Sequence, residues 1–224
     1  MRCNMILAIY GVGGLGREVY IIAKKINQNE NKWKEIIFVS DLEDDKKAYP
    51  EYKILNFDEV IQNYETSSIQ FSIALGEPIQ REKLYKKVKK SCFVFATLIH
   101  PGVYIDETTT IGEGSVICEG CTITCNVNVG HNCYIQPHAI IGHDIKIGNH
   151  TVIGSNCEIG GADIIGDRCF FGFLSGTKEK ILIENDVIIS AGAIVFRDLP
   201  SGVIVMGNPG RIIRKNEENK VFKE

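Results

Sequence analysis

From Ile99 onward a large apolar residue returns at every sixth position: Ile99, Ile105, Ile111, Ile117, Ile123, Val129, Ile135, Ile141, Ile147, Ile153, Ile159, Ile165, Phe171, Ile183, Ile189 and Val195, with Thr177 as the one break. Four places after each stands a mostly small residue, among them Thr109, Ser115, Cys121, Cys133, Ala139, Thr151, Cys157, Cys169, Ser175 and Ala193, and glycine often follows the apolar position directly. A period of six fits neither an α-helix nor an alternating strand, so internal repetition governs this part of the chain. The pattern predicts stacked coils in which the aliphatic fills the interior, the small residue occupies a cramped corner and glycine eases the turn.

The residues before Ile99 follow different rules. MILAIY reads as a buried strand, GVGGLG as a tight turn, and REVYIIAKKINQ as a helix with its apolar face at Val19, Ile22, Ala23 and Ile26. EIIFVSD is a second strand ending in Ser40 and Asp41; SIQFSIALG and the basic helix REKLYKKVKK come next, and FVFATLI leads into the repeats. Alternation of strand and helix predicts a small parallel sheet. The chain therefore divides into residues 1–96, residues 97–200, and a tail, 201–224, whose polar end after Gly207 is expected to fray.

Composition narrows the setting. With 44% hydrophobic residues in 224, there is material for two cores, and 25 basic against 28 acidic residues leave no polybasic face for nucleic acid. The N-terminal apolar run is too short for a signal or a membrane span, so the expectation is a cytoplasmic protein with no membrane partner. Eight cysteines then read as thiols. In CEGCTITC, with His131 and Cys133 close behind, the ligand types of a zinc site are present. Hexad phase argues against one: Cys121, Cys133, Cys157 and Cys169 fall in the small inward slot, where a thiol serves as a compact apolar group, whereas Cys118 and Cys125 face elsewhere.

Two motifs carry candidate chemistry. Gly11, Gly13 and Gly16 form G-x-G-x-x-G between a strand and a helix, with Asp41 closing the next strand, an arrangement that lets backbone amides approach a phosphate. A dinucleotide dehydrogenase is disfavoured because the N-terminal part lacks room for a second mononucleotide-binding half, although a glycine turn that binds nothing is an alternative. The second motif, PHAIIGHDIKIGNH, gathers His138, His143 and His150, with Asp144 directly after the middle one.

The hexads resemble the left-handed parallel β-helix of the hexapeptide acyltransferases, in which three hexads make one coil, so the seventeen from Ile99 to Pro200 imply between five and six coils. Together with IYGVGGLG, LIHPGVYI, IIGHDIKIGNH and AGAIVFRDLPSGVIVMGNPGRII, they make the whole chain resemble the sialic-acid O-acetyltransferase family, which includes bacterial nucleotide-amino-sugar N-acetyltransferases. The resemblance implies an α/β Rossmann-like domain followed by the β-helix. It also implies acetyl-CoA as cosubstrate, no metal, a homotrimer with sites between subunits, and transfer to a nucleotide-linked amino sugar, with sugar O-acetylation as the alternative.

Carried over by position, His143 is the general base and Asp144 its acidic partner, a pairing that on an extended strand requires a corner or bend. The nucleotide-sugar contacts fall at Gly13, Gly14, Leu15, Ser40, Asp41 and Gly76, and the acetyl-CoA contacts at Val152, Phe173 and Ala191, with His150 standing in for a histidine that many members carry at the position of Val152. Leu15 and Ser40 depart from the family pattern of histidine and a second acid. Two other classes compete. The γ-class carbonic anhydrases share this β-helix and bind zinc through histidines five apart, as His138 and His143 are, but His131 is out of phase with both. A scaffold without activity is the third reading.

Overall fold

The structure, a computed structural model, describes residues 5–218 and 220–222. At the N-terminus β1 (Ile6–Tyr10) is buried throughout and leads through the glycine loop into α1 (Gly14–Glu30), whose buried residues are Gly16, Val19, Ile22, Ala23 and Ile26. After β2 (Glu35–Val39) come three elements that periodicity did not reveal: α2 (Glu43–Ala48), β3 (Ile54–Leu55) and α3 (Phe57–Asn63). The last of these starts with a reciprocal cap in which Asn56 accepts from Glu59 N and the Glu59 carboxylate accepts from Asn56 N. Then follow β4 (Ile69–Ile73), α4 (Pro78–Lys90) and β5 (Val94–Phe95).

The five strands form one parallel sheet in the order β3-β2-β1-β4-β5. The carboxyl ends of β1, β2 and β4 therefore lie side by side, and the glycine loop, Ser40 with Asp41, and Ala74 to Gly76 emerge together. In parallel α/β sheets that edge is where ligands bind. Two of the loop glycines are structural. Gly11 adopts φ +112, and a Cβ there would stand 2.7 Å from the Ala74 carbonyl oxygen; a Cβ on Gly16 would overlap the Gly11 carbonyl.

Val94–Phe95 still pairs with the first sheet, whereas Leu98–Ile99 already pairs with Val116–Ile117 of the coils. From there the chain winds as a triangular prism. Each face is a parallel ladder of two-residue strands in which a residue pairs with those eighteen before and after it, as Tyr134 does with Val116 and Val152. Ile117, Ile135, Ile153, Phe171 and Ile189 stack inside one face, and the other two faces supply matching columns.

Three details of the hexad differ from expectation. The bend that turns each corner falls three residues after the inward aliphatic, where φ is near +60 at Asn126, Asn132, His138, Asp144, His150, Asn156 and Ala162. The glycine directly after the aliphatic serves a different purpose: a Cβ on Gly112 would meet the Gly130 carbonyl at 2.5 Å, so glycine there lets successive coils approach. The small inward slot also bonds as well as fills. Ser115 Oγ donates to the Gly130 carbonyl at 2.8 Å and accepts from Cys133 N at 2.9 Å, and the thiols of Cys133, Cys157 and Cys169 donate to carbonyls at 3.1, 3.0 and 3.1 Å.

The break at Thr177 has its cause in the same slot. Asp163, fully buried, occupies a small position; its carboxylate accepts from Ile181 N at 2.7 Å and from the Thr177 hydroxyl. A buried carboxylate needs such donors, and a valine or isoleucine at position 177 supplies none.

One face of the prism carries the N-terminal domain. The outward residues of that face are Val116, Tyr134, Val152, Phe170 and Ile188, of which the first three are fully buried and Ile188 nearly so. Burial of each such side chain is worth about 1.5–3 kcal/mol, which makes the docking of α1 and α4 a second core. Arg81 of α4 fastens it. Its guanidinium is completely buried, has no carboxylate partner among the described residues, and donates to the carbonyls of Ile73, Leu75 and Asn132 and to Asn132 Oδ1, at 2.8–3.0 Å. Asn132 in turn donates from Nδ2 to the Arg81 carbonyl at 3.1 Å and to His150 Nδ1 at 3.0 Å.

The segment expected to fray is ordered over most of its length. Val203–Met206 extends the docked face and pairs antiparallel with Arg211–Lys215. The chain then returns so that the backbone amides of Val221 and Phe222 donate to the Glu77 carboxylate at the head of α4, at 2.9 and 3.1 Å. Asn219, Lys223 and Glu224 of the polar end lie outside the described residues.

Candidate active site

His143 and Asp144 occupy a corner of the prism, and the local backbone brings them together. Asp144 has φ +61, which bends the chain so that its carboxylate folds beside the ring of its neighbour, and His143 Nδ1 lies 2.7 Å from Asp144 Oδ2. The other carboxylate oxygen accepts from Asn126 Nδ2 at 3.0 Å, one coil below. These two bonds, from His143 first and Asn126 second, hold the Asp144 carboxyl below its usual range. An ionised carboxylate only accepts, so Nδ1 donates to it, and in a neutral ring that leaves Nε2 as the acceptor. The ring is 63% exposed at its side chain. Gly161, one coil above, leaves it the space it occupies: a Cβ there would lie 2.7 Å from Nε2.

The other histidines do different work. His150 is buried at 7% exposure beneath α4, with Tyr85 edge-on at 5.2 Å between ring centroids. Burial drives its pKa down to about 4, so the ring stays neutral and its Nδ1 accepts from Asn132. His138 is exposed at the turn above Gly120.

At the sheet edge Gly13 and Gly14 are exposed, with nothing within 4 Å of where a Cβ would stand, and they open the N-terminus of α1 without a side-chain cap. Leu15 is half-buried against the core. Asp41 is heavily committed: Oδ2 accepts from Tyr10 Oη at 2.5 Å and Lys87 Nζ at 2.6 Å, and Oδ1 from Phe57 N at 3.0 Å. Burial would raise its carboxyl, but the bonds from Lys87, Tyr10 and Phe57 outweigh that and hold it below the ordinary carboxylate range. Ser40 is buried and donates to Asp45. Beyond them opens a cleft of about 410 Å³ lined by Ser40, Asp41, Leu42, Glu43, Lys46, Lys47 and Asn56. Gly76 faces the ring of Phe222. Tyr10, Lys87 and Arg81 were not singled out in the sequence, because their partners come from other elements.

Of the residues expected to meet the coenzyme, Phe173 and Ala191 are exposed and stack eighteen apart on a second corner. Val152 and His150 lie under the N-terminal domain, so their side chains pack into the junction and leave no open surface. The signal that would have revealed this is the eighteen-residue series Val116, Tyr134, Val152, Phe170 and Ile188: outward positions that are all apolar on one face only. The first corner, with His131 and Asn132, and the second, with Phe173, flank the docked face; His143 stands on the third, opposite it.

Among the described residues, no group of three His, Cys, Asp or Glu side chains is arranged to hold a metal ion, and no helix is long and apolar enough to cross a membrane.

Residues 6–88 match the PglD N-terminal domain, residues 126–161 the six-repeat bacterial transferase hexapeptide, and residues 163–197 the hexapeptide repeat of succinyl-transferase. No curated protein matches. Among solved structures, the acetyltransferase domain of PglB from Neisseria gonorrhoeae superposes with a TM-score of 0.84 at 21% identity, covering 94% of this chain and 100% of that one, and has also been solved with acetyl coenzyme A. PerB from Caulobacter crescentus, in complex with CoA and GDP-perosamine, superposes with a TM-score of 0.81 at 24% identity, covering 92% of this chain and 96% of that one. WeeI from Acinetobacter baumannii gives a TM-score of 0.58 at 24% identity, with 93% and 100% covered. At these identities the likeness establishes the fold: a Rossmann-like domain joined to a left-handed β-helix.

Proposed function

We propose that this chain, which joins a PglD N-terminal domain to bacterial transferase hexapeptide repeats, transfers the acetyl group of acetyl-CoA to the amine of a nucleotide-linked amino sugar. The observation that carries the reading is the exposed His143 ring, with Nδ1 tied to Asp144 and, among the described residues, no partner at Nε2. PerB, crystallised with CoA and GDP-perosamine, and PglB, with acetyl-CoA, support the choice of substrates.

In this mechanism the amine attacks the thioester carbonyl while His143 Nε2 accepts the proton it loses, and Asp144 stabilises the imidazolium that forms. A coil backbone amide near Gly161 donates to the oxyanion of the tetrahedral intermediate. Collapse of that intermediate breaks the C–S bond, and the coenzyme thiolate leaves and takes up a proton. The open N-terminus of α1, with the unobstructed Gly13 and Gly14, receives the sugar's diphosphate. Because Asp41 is already held by three donors, its part in this reading is to fix Tyr10 and Lys87; Ser40 and Asp41 line the cleft, and Leu15 and Gly76 are assigned to the nucleotide sugar by position alone.

The site is assembled between copies. The N-terminal domain (1–96) docks on the face of the prism (97–200) opposite the His143 corner, and Phe173 with Ala191 stand on another corner. A sugar bound to one subunit reaches a base only on a neighbour, which supports a homotrimer with three shared sites. Both substrates are cytoplasmic metabolites, so the enzyme acts there. The test is release of coenzyme A thiol from acetyl-CoA in the presence of a panel of nucleotide-linked amino sugars. Turnover with one of them, lowered about 10²- to 10⁴-fold by His143→Ala with coenzyme affinity retained, is the expected result. No turnover with any sugar and no calorimetric binding of acetyl-CoA would overturn the proposal.

A further inference from the structure

We infer that Asn126 is a positioning residue for the catalytic pair, holding Asp144 from the coil below so that His143 keeps one orientation. The inference rests on the reading of His143 as the base.

The geometry is a chain of three side chains on two coils. Asn126 Nδ2 donates to Asp144 Oδ1 at 3.0 Å, and Asp144 Oδ2 accepts from His143 Nδ1 at 2.7 Å. Asn126 is fixed from below as well, since its backbone N–H donates to Thr108 Oγ1 at 2.9 Å and Thr108 Oγ1 donates to Asp106. Thr108, Asn126 and Asp144 stand directly above one another, and the polar column stops at Asp144, because the next residue in register is Ala162.

A backbone role alone does not account for asparagine. The turn at this corner has φ +57 at Asn126, yet Ala162 adopts +61 two coils above it in the same column. Stability does not account for the bonds either. Asp144 and His143 are 52% and 63% exposed at their side chains, and hydrogen-bonded ion pairs in that setting contribute about 0–1 kcal/mol. What such a bond does provide is direction. An exposed aspartate rotates freely between solvent and its neighbour, and an aspartate pinned through its second oxygen presents the first to the imidazole. The buried corner uses the same device: Asn132 Nδ2 reaches His150 Nδ1, eighteen residues on, but packing there fixes both groups. On the solvent corner, among the described residues, only the bond from Asn126 does so.

Two variants test this in the full-length protein. Asn126→Gly removes the donor without penalty at a positive φ, and Asn126→Asp keeps the shape while placing a like charge against Asp144. Asn126→Gly lowers kcat about tenfold, a fraction of the 10²–10⁴ assigned to the base itself, and Asn126→Asp lowers it further. The KM for acetyl-CoA stays within about twofold, and the melting temperature does not fall. In an Asp144→Ala background, Asn126→Gly has no additional effect, because the residue acts through Asp144. If His143→Ala abolishes turnover while Asn126→Gly retains full kcat, the inference fails and the base assignment stands. An equal loss from Asn126→Gly with and without Asp144 would overturn it too. Unimpaired turnover in His143→Ala would remove both.

Discussion

Replacing Gly161 by alanine adds one methyl group to the chain, directly against the proposed base. A Cβ at this position would lie 2.7 Å from His143 Nε2, 2.8 Å from Cε1 and 3.1 Å from Cδ2, where ordinary contact begins at 3.4 Å. The ring must therefore retreat by about 1 Å or swing about its side-chain bonds, and either movement strains the 2.7 Å bond to Asp144. A displacement of about 1 Å in a reacting group costs on the order of 10²-fold in rate. The fold pays little, because Gly161 does not adopt a positive φ and the ring it displaces is exposed, so the change in stability stays within about 0.5 kcal/mol. Steady-state thiol release gives kcat and KM, and thermal unfolding controls for damage. The expected variant melts with the wild type and turns over about a hundredfold more slowly. Turnover within threefold of wild type would refute the reasoning. So would a collapse of acetyl-CoA affinity with kcat preserved at saturation, since Gly161 would then be making room for coenzyme and not for the ring.

Two further predictions concern the framework. His150 binds its proton only near pH 4 in the folded protein against 6.5 in the unfolded chain, so between those values the unfolded state is the one that takes up protons and stability falls as pH is lowered. The loss approaches about 3 kcal/mol below pH 4, and the wild type should lose more melting temperature between pH 7 and pH 4 than His150→Asn, which keeps an acceptor for Asn132 but does not titrate; equal losses would exclude His150 as the cause. Thr177→Val restores the aliphatic repeat and yet should destabilise by about 1–3 kcal/mol, because it removes the hydroxyl that donates to one oxygen of the buried Asp163 and leaves only the bond from Ile181 N. Denaturant unfolding of Thr177→Val, Asp163→Ser and the double variant should show a double cost well below the sum of the singles, and strict additivity would contradict the pairing.

The two halves were legible to different depths. The hexad period gave the prism, its inward columns and the small slot, because each coil repeats the same steric problem. It could not give the pairing of Thr177 with Asp163, which lie fourteen residues apart in sequence and meet only after the chain has turned. In the first domain the strands β1, β2 and β4 and the apolar face of α1 were readable from burial patterns, whereas α2 and α3 are too short for a helical period. The proposed catalytic pair illustrates both sides. The expectation of a corner at Asp144 follows from the alternation of an extended chain, and the positive φ supplies it. The contribution of Asn126 was hidden because its relation to Asp144 is vertical, through the coil stack. His150 and Val152 were expected on the coenzyme surface; both are buried, Val152 as a member of the outward apolar series and His150 against Tyr85 of α4.

The stacking rule gives the coils something like a reading frame. Insertion or deletion of a whole coil of eighteen residues keeps every column in register, so the length of the prism can drift freely between relatives without moving any side chain to a new corner. A change of one hexad behaves differently. It leaves each aliphatic pointing inward, and so leaves the prism interior intact, but rotates everything beyond it by a third of a turn, the docked side chains included. Six residues gained just before His143 would keep the prism filled yet set the histidine on another corner, and would also turn Val152, Phe170 and Ile188 away from the docked N-terminal domain. In this architecture the prism interior carries no information about whether the site is in phase; the docked outward face does.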